Sequence, residues 1–177
     1  MIPSSTAQQD REMATRHDAF TMVEMMVVLG VIAILALIAV PGFQDQIVRD
    51  QINAALPLAD IVKAPVAASW AIAQSFPPDN AGAGLPSADK IVNNYINSVS
   101  VQDGAIHITF GNRANGLING KILTLRPAVV EDAPVVPVTW VCGTAEGPSK
   151  MTVNGENKTN IPTAYLPFNC RARSRTN

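Results

Sequence analysis

The chain has 177 residues, which is long enough for one domain with a hydrophobic core and short for two domains of ordinary size. Hydrophobic residues make up 47% of it and charged residues 15%, against roughly 25% charged in an average soluble domain, so a disordered polymer is excluded and some of the surface must avoid water. The formal charge of −1 excludes a strongly basic protein that wraps nucleic acid. The two cysteines allow at most one internal disulfide and cannot build a zinc or iron–sulfur site unaided, and the two histidines leave little material for metal or acid–base chemistry.

The first predicted element is an uncharged apolar helix over Met25–Gln44. Twenty helical residues rise about 30 Å, the thickness of the hydrocarbon core of a bilayer. The segment is apolar on every side, so it is not an amphipathic core helix. Hydropathy alone fits an ordinary membrane anchor or a secretory signal. A secretory signal, however, begins with basic residues and ends at a small-residue cleavage site, whereas residues 1–19 carry charges of both signs.

A single acid, Glu24, lies one helical turn inside the apolar stretch that starts at Phe20. A carboxylate entering hydrocarbon costs on the order of 2.5–3.5 kcal/mol and therefore requires a cationic partner. The apolar segment contains no lysine or arginine, so the partner must come from elsewhere. A cut between Ala19 and Phe20 would create an amine that can reach Glu24 of a neighbouring copy.

These residues resemble the start of a type IV prepilin, in which a short hydrophilic leader ending in Gly or Ala precedes Phe-Thr-x-x-Glu and an apolar helix. The resemblance is carried by residues 20–28 (FTMVEMMVV) and by residues 38–45 (IAVPGFQD), which are similar to the family's Ile-Ala-x-Pro-x-Tyr/Phe-Gln-Asp. Ala19 stands where the family usually has glycine, and the leader is not net basic.

The resemblance implies cleavage between Ala19 and Phe20 by a prepilin peptidase, methylation of the Phe20 amine, and an assembly ion pair between Glu24 and that amine. It also implies that Gly30 and Pro41 are weak points at which the helix unwinds locally on assembly. We therefore expect a leader over 1–19, a membrane and filament-core helix over 20–44, and a periplasmic or surface-exposed globular domain over 45–177. Loss of the leader leaves the mature chain formally neutral, which suits self-association.

The helix is predicted to continue from Asp45 to Ala73 with a narrower apolar stripe that packs on a sheet. Pro57 and Pro65 lie inside this stretch, and we expect a kink or a short break at each. The stripe recurs at spacings near three and four and consists of Ile47, Val48, Ile52, Ala55, Leu58, Ala59, Val62, Val66, Ala67 and Trp70.

After a turn-rich loop over 75–86 the hydrophobic period changes to two. Strands over 99–101 and 105–110 flank Asp103-Gly104, a strong hairpin signal. Further strands are predicted over 121–126 and 137–142. The fold class is therefore α+β, with a long N-terminal helix whose amphipathic second half packs on an antiparallel sheet of about four strands. Segments over 98–101, 120–125, 139–142 and 165–170 also resemble the globular part of pilins, so the likeness runs from Phe20 almost to the end.

Cys142 and Cys170 enclose a segment rich in Gly, Pro, Asn and Thr. A disulfide between them would stabilise the fold by roughly 3–4 kcal/mol in the chain-entropy model and would require an oxidising compartment. Two free buried thiols remain the alternative. The two-cysteine ending favours a pilin over a pseudopilin of a secretion machine.

Residues with the potential for other chemistry are few. His107 alternates with Ile106 and Ile108, so we expect it to point to solvent. The sequence has no catalytic or nucleotide-binding motif, which predicts no enzymatic activity, no cofactor and no metal. The glycosylation-type triplet over 157–159 is interpreted as chance. Three arginines near the C-terminus are a weak candidate for DNA contact, as in pilins of DNA uptake: Arg171, Arg173 and Arg175. The alternative, which is more common for arginines in a tail, is that they are only solvated.

The predicted function is that of a structural subunit of a type IV pilus that supports adhesion, twitching motility or DNA uptake. The implied partners are further copies of the chain, the prepilin peptidase, the inner-membrane assembly machinery, the membrane itself, and a host surface or DNA. The subunit would wait in the bacterial inner membrane, with its C-terminal domain in the periplasm, before joining an extracellular fibre. Two alternatives stay open: a minor pilin or pseudopilin, and a membrane-tethered periplasmic binding domain that keeps its leader.

Overall fold

The computed structural model describes residues 21–173, except for the side chains of 39–44. Within this part of the chain, helix α1 (Met22–Ala73) is followed by five strands and by short 3-10 turns at Ala88–Lys90 and Phe168–Cys170. This order confirms the predicted α+β class. The strands are β1 (Ile96–Gln102), β2 (Ala105–Phe110), β3 (Ile122–Val129), β4 (Thr139–Cys142) and β5 (Thr152–Val153).

The chain forms two compact units, the first ending at Val40 and the second beginning at Pro41. The described part of the first unit is the beginning of α1 alone. The second unit contains the rest of α1, the sheet and the C-terminal segment. All tertiary packing described below belongs to the second unit.

The sheet is an antiparallel meander in the order β1-β2-β3-β4, and β5 pairs with the end of β3 on the edge that faces β2, past the residues that pair with β2. The hairpin between β1 and β2 turns at Asp103-Gly104, where both residues have positive φ (48° and 80°), and Gln102 pairs with Ala105. This geometry confirms the hairpin prediction. At Gly104 a Cβ would lie 2.6 Å from the Phe76 ring, so glycine is required by both conformation and space.

The core lies between the buried stripe of α1 and one face of the sheet, which we call the inner face. This arrangement confirms the predicted packing of the amphipathic half-helix on a sheet, except that Ile47, a predicted member of the buried stripe, is exposed. The helix contributes Val48, Ile52, Ala55, Ala59, Val62 and Val66, and the sheet contributes Val99, Val101, Ile106, Ile108, Phe110, Leu123 and Leu125, all in one hydrophobic cluster.

We predicted a kink or a short break at each interior proline. The break is absent at both, because α1 continues through Pro57 and Pro65. Each proline deprives the carbonyl four residues earlier of its N–H donor. Those carbonyls belong to Asn53 and Ile61, which are exposed positions on the solvent side of the helix. Water can therefore solvate them, and the buried stripe holds the helix in place.

The prediction that His107 points to solvent is also wrong. The His107 side chain lies on the outer face of the sheet, opposite the core, but is only 4% exposed. Residues 154–160 run along this face and cover it, as the hydrogen bonds from Asn154 to Pro127 O and from Asn160 to Ile122 O show. Alternation along β2 gave the correct face, but the covering segment comes from a distant part of the chain.

Candidate functional site

The start of α1 is fixed by Thr21. Its side-chain Oγ1 accepts a hydrogen bond from the backbone N–H of Glu24 at 3.2 Å, and its carbonyl accepts one from the N–H of Met25 at 3.1 Å. Thr21 is thus the N-cap, and Glu24 stands three residues later in the spacing typical of a capping box. The Thr-x-x-Glu pattern therefore also starts the helix, a role that could have been inferred from the spacing alone.

The carboxylate of Glu24 is exposed in the first turn of the helix. A negative charge is favourable there, because the helix N-terminus carries partial positive charge. The salt bridges of the described residues include Lys63 to Asp60, Lys90 to Asp89 and Lys158 to Glu156, and no described residue forms one with Glu24. Ala19 and Phe20 lie outside the described residues.

Beyond Glu24 the helix presents apolar side chains in every direction. All side chains from Thr21 to Ile38 are exposed, including Met22 at 86% and Leu37 at 77%. A helix that is apolar all round is stable only in a bilayer or against other apolar helices. This surface is therefore the part of the described chain that most clearly requires a partner.

Length and composition also identify the helical stretch Asp45–Ala73, with mean hydropathy 1.3, as the one described stretch long enough and apolar enough to cross a membrane. Its apolar stripe is already buried against the sheet, so we interpret it as a core helix. Met22–Ile38 is also apolar but shorter.

Gly30 and Pro41 are both helical here. A Cβ placed on Gly30 would meet nothing within 4 Å, so packing within the subunit does not explain the glycine. The side chain of Pro41 lies outside the described residues.

Cys142 and Cys170 form a disulfide, which confirms the disulfide-closed C-terminal loop. Both cysteines are buried. The carbonyl of Cys170 accepts hydrogen bonds from the backbone N–H and the hydroxyl of Thr144, so the two ends of the enclosed segment are also joined by hydrogen bonds.

Arg171 is held by backbone carbonyls of the preceding turn. Its Nε donates to Leu166 O at 2.7 Å and its Nη2 donates to Ala164 O at 3.1 Å. Arg49 of α1 donates to the same Ala164 oxygen through Nε at 3.2 Å and Nη2 at 2.7 Å. The guanidinium of Arg171 thus ties the C-terminal segment to the domain. Of the other two candidate DNA-contacting residues, Arg173 is exposed and Arg175 lies outside the described residues.

Asn157 of the glycosylation-type triplet donates its Nδ2 to Gly143 O at 2.9 Å and accepts the N–H of Thr159 at its Oδ1. Its amide is therefore engaged in the fold. Among the described residues there is also no group of three or more His, Cys, Asp or Glu side chains arranged to hold a metal ion.

Two family models match the chain. The model for pilin, a bacterial filament protein, covers residues 48–171, and the model for the prokaryotic N-terminal methylation motif covers residues 15–40. The second match spans the junction between Ala19 and Phe20.

The chain is also similar to curated proteins over most of its length. It is 33% identical to the type IV major pilin protein PilE of Neisseria gonorrhoeae over 165 residues, which are 90% of this chain and 96% of the relative. It is 32% identical to a fimbrial protein of Neisseria meningitidis serogroup A (90% and 96% covered) and 32% identical to the fimbrial protein EcpC of Eikenella corrodens (86% and 89% covered).

Proposed function

Because this chain belongs to the type IV pilin family, whose members are structural pilus subunits and not enzymes, we propose that it is the major, repeating subunit of its pilus. One observation carries the filament-subunit part of this proposal: a helix with exposed apolar side chains all round and one acid in its first turn. Such a surface suits a helix that is stored in a bilayer and then transferred into a bundle of identical helices, because apolar surroundings persist throughout.

We further propose that the prepilin peptidase removes residues 1–19 and that the amine of Phe20 is methylated. The methylation-motif match over 15–40 supports both steps. The mature chain would then consist of the membrane and filament-core helix over 20–44 and the globular domain over 45–177. Before assembly it would lie in the inner membrane with this domain in the periplasm, and afterwards in the extracellular fibre.

The proposed role of Glu24 is to pair with the amine of Phe20 on a neighbouring subunit. The capping contact uses the backbone N–H of Glu24 and the hydroxyl of Thr21, so a new partner for the carboxylate would leave the helix start intact. Pairing would remove the cost of placing the charge in apolar surroundings, on the order of 2.5–3.5 kcal/mol. It would also fix the axial position of one subunit against the next.

Gly30 and Pro41 are the proposed points of local unwinding during assembly. Glycine and proline both weaken a helix interior, by about 1 and about 3 kcal/mol relative to alanine. The open space around Gly30 supports a backbone role over a packing role.

The test compares Glu24→Gln with the matched control Asp60→Asn. Asp60 is an exposed acid of the same helix, paired with Lys63 at 2.7 Å, in the globular domain. Both variants and the wild type are measured for subunit in the membrane and for subunit in fibres sheared from the cell surface. We expect Glu24→Gln to accumulate in the membrane with few fibres, and Asp60→Asn to assemble normally. Normal fibre yield from Glu24→Gln would contradict the pairing.

The major-subunit assignment is supported by relatives that are named major pilins, and it is tested against a minor pilin or pseudopilin by stoichiometry. A major subunit would form most of the protein mass of sheared fibres. Adhesion, twitching motility and DNA uptake remain the proposed roles of the fibre, with a host surface or DNA as the contacted partner.

A further inference from the structure

The outer face of the sheet carries a polar cluster that assembly through the N-terminal helix does not use. His107 on β2 lies opposite Ser100 on β1 and Thr124 on β3, and both His107 and Thr124 are buried. Residues 154–160, which we call the strap, cover them. A Cβ at Gly155 of the strap would lie 2.6 Å from the Cβ of Ala105, so the strap backbone rests directly on β2.

Residues of the strap exchange hydrogen bonds with the beginning of β3, past the point where β4 ends opposite Leu125. The N–H of Thr124 donates to Thr159 Oγ1 at 3.0 Å, and the N–H of Ile122 donates to Asn160 Oδ1 at 2.6 Å. In return, the N–H of Lys158 donates to Thr124 Oγ1 at 3.1 Å. Thr124 is therefore the residue through which the strap and the sheet are most directly joined.

The side chain of Lys158 extends from β3 to β1, because its backbone bonds to Thr124 while its Nζ bonds to Gln102. β2 lies between those two strands, so this side chain crosses the strand that carries His107. The ammonium group is also 3.7 Å from a carboxylate oxygen of Glu156.

His107 joins this cluster through Nδ1, which is 3.0 Å from Thr124 Oγ1. The Thr124 hydroxyl accepts the Lys158 N–H, so we assign its own proton to the bond with Nδ1, an acceptor in neutral imidazole. Nε2 is buried and has no hydrogen-bond partner among the described residues. Burial lowers the pKa of His107 below its usual value, the Lys158 charge lowers it further, and Glu156 opposes this.

The other groups that face the imidazole do not supply a counter-charge. The side chains of β1 on the outer face are Ser98, Ser100 and Gln102, which are uncharged. On β3 the next residue of this face is Arg126, a further cation, whose buried Nε has no hydrogen-bond partner in the part of the chain that the structure describes. A second positive charge on His107 would thus be surrounded mainly by positive charge.

We propose that His107 is a proton-sensitive latch for the strap: protonation of its buried imidazole reverses the polarity of the Thr124 contact, places a second positive charge beside Lys158 and opens residues 154–160 away from the outer face of the sheet. Protonated Nδ1 becomes a donor, so the Thr124 hydroxyl loses the acceptor for its own proton and can only receive Nδ1–H on its second lone pair. The added positive charge is shared over the buried ring, and Nε2–H still has no acceptor among the described residues. The strap lies between Cys142 and Cys170, so the disulfide limits the opening to a closed loop.

The direction of the pH dependence follows from linkage. In the open form His107 regains an ordinary pKa of about 6.5, while in the closed form it stays lower. Between these two values the open form binds the additional proton, so acid favours opening about tenfold per pH unit. Above the ordinary value both forms are neutral, and the strap is closed independently of pH.

The experiment uses the full processed chain in detergent micelles with isotope-labelled histidine. Histidine occurs at positions 17 and 107, and the first lies in the proposed leader, so the processed protein gives a single imidazole signal. Its pKa is read by NMR titration. Amide hydrogen exchange of the strap is measured at pH 7.5 and 5.5, with labelling times corrected for intrinsic exchange.

We expect the imidazole to titrate below its ordinary value and the strap to lose protection at pH 5.5, by up to about tenfold, while the inner strands stay protected. The variant Lys158→Gln keeps a hydrogen-bonding side chain but removes the charge, and should move the pKa of His107 back towards normal. His107→Gln should make strap protection independent of pH. An imidazole that titrates normally in the wild type, or equal acid sensitivity in His107→Gln, would overturn the latch.

Discussion

Replacing Arg171 by glutamine tests whether the C-terminal arginines are a solvated tail or part of the fold. The Arg171 guanidinium donates to Leu166 O and Ala164 O, and hydrogen bonds from a charged donor contribute about 1.5–3 kcal/mol each. Arg49 still donates to Ala164 O in the variant, so the main loss is the 2.7 Å bond to Leu166 O. We therefore expect the free energy of unfolding to fall by about 2 kcal/mol.

For a chain of this length, 1 kcal/mol corresponds to about 2–4 °C in Tm, so Arg171→Gln should melt about 4–8 °C lower. The assay is thermal unfolding of the oxidised, processed protein, followed by circular dichroism. The control is Arg173→Gln, an exposed arginine two residues away, which should change stability by less than about 0.5 kcal/mol.

A double-mutant cycle with Arg49→Gln sharpens this test. Both arginines donate to Ala164 O, so either one alone keeps that carbonyl hydrogen-bonded. Only the double variant removes all four guanidinium hydrogen bonds, three to Ala164 O and one to Leu166 O. We expect the double variant to lose about 1 kcal/mol more than the sum of the single variants. Equal melting of Arg171→Gln and Arg173→Gln, or strict additivity in the cycle, would refute the shared-carbonyl account.

Two further variants test the core and the hairpin by the same assay. Ile52→Ala, at a fully buried position of α1, should lower the free energy of unfolding by about 2–5 kcal/mol. The control Ile61→Ala, at a 64% exposed position of the same helix, should lower it by less than about 1 kcal/mol. Similar losses in the two variants would contradict the assigned stripe. Gly104→Ala should lower the free energy of unfolding by more than about 1 kcal/mol, because Gly104 has a positive φ and lies against Phe76. The control Gly116→Ala, where a Cβ meets nothing within 4 Å, should leave stability nearly unchanged. The opposite order would contradict the turn geometry.

Features that depend on neighbouring residues were predictable from the sequence. The apolar helix with its single acid, the Asp103-Gly104 hairpin and the stripe along α1 are each set by local spacing, and the structure has all three. The disulfide was predictable because the chain has only two cysteines. The family resemblance followed from the first of these features, because the motif around Glu24 combines local helix signals with an unusual charge.

Features that depend on contacts distant in sequence were not predictable. Nothing near His107 indicates that residues 154–160 will cover it, and nothing near Arg171 indicates that Ala164 O is shared with α1. The continuity of α1 through Pro57 likewise depends on solvent access to the carbonyl of Asn53, which requires knowing which face of the helix is buried. In each case the sequence indicated the local conformation, and tertiary packing decided the outcome.

The central claim is that a trimmed amino terminus neutralises Glu24 of an adjacent subunit inside a fibre. The most direct test is intact-mass and amino-terminal sequence analysis of the subunit recovered from fibres sheared off living cells. The account predicts a chain that begins at methylated Phe20 and forms the bulk of the fibre mass. Recovery of a subunit that still carries residues 1–19, or fibres that lack this chain, would contradict it.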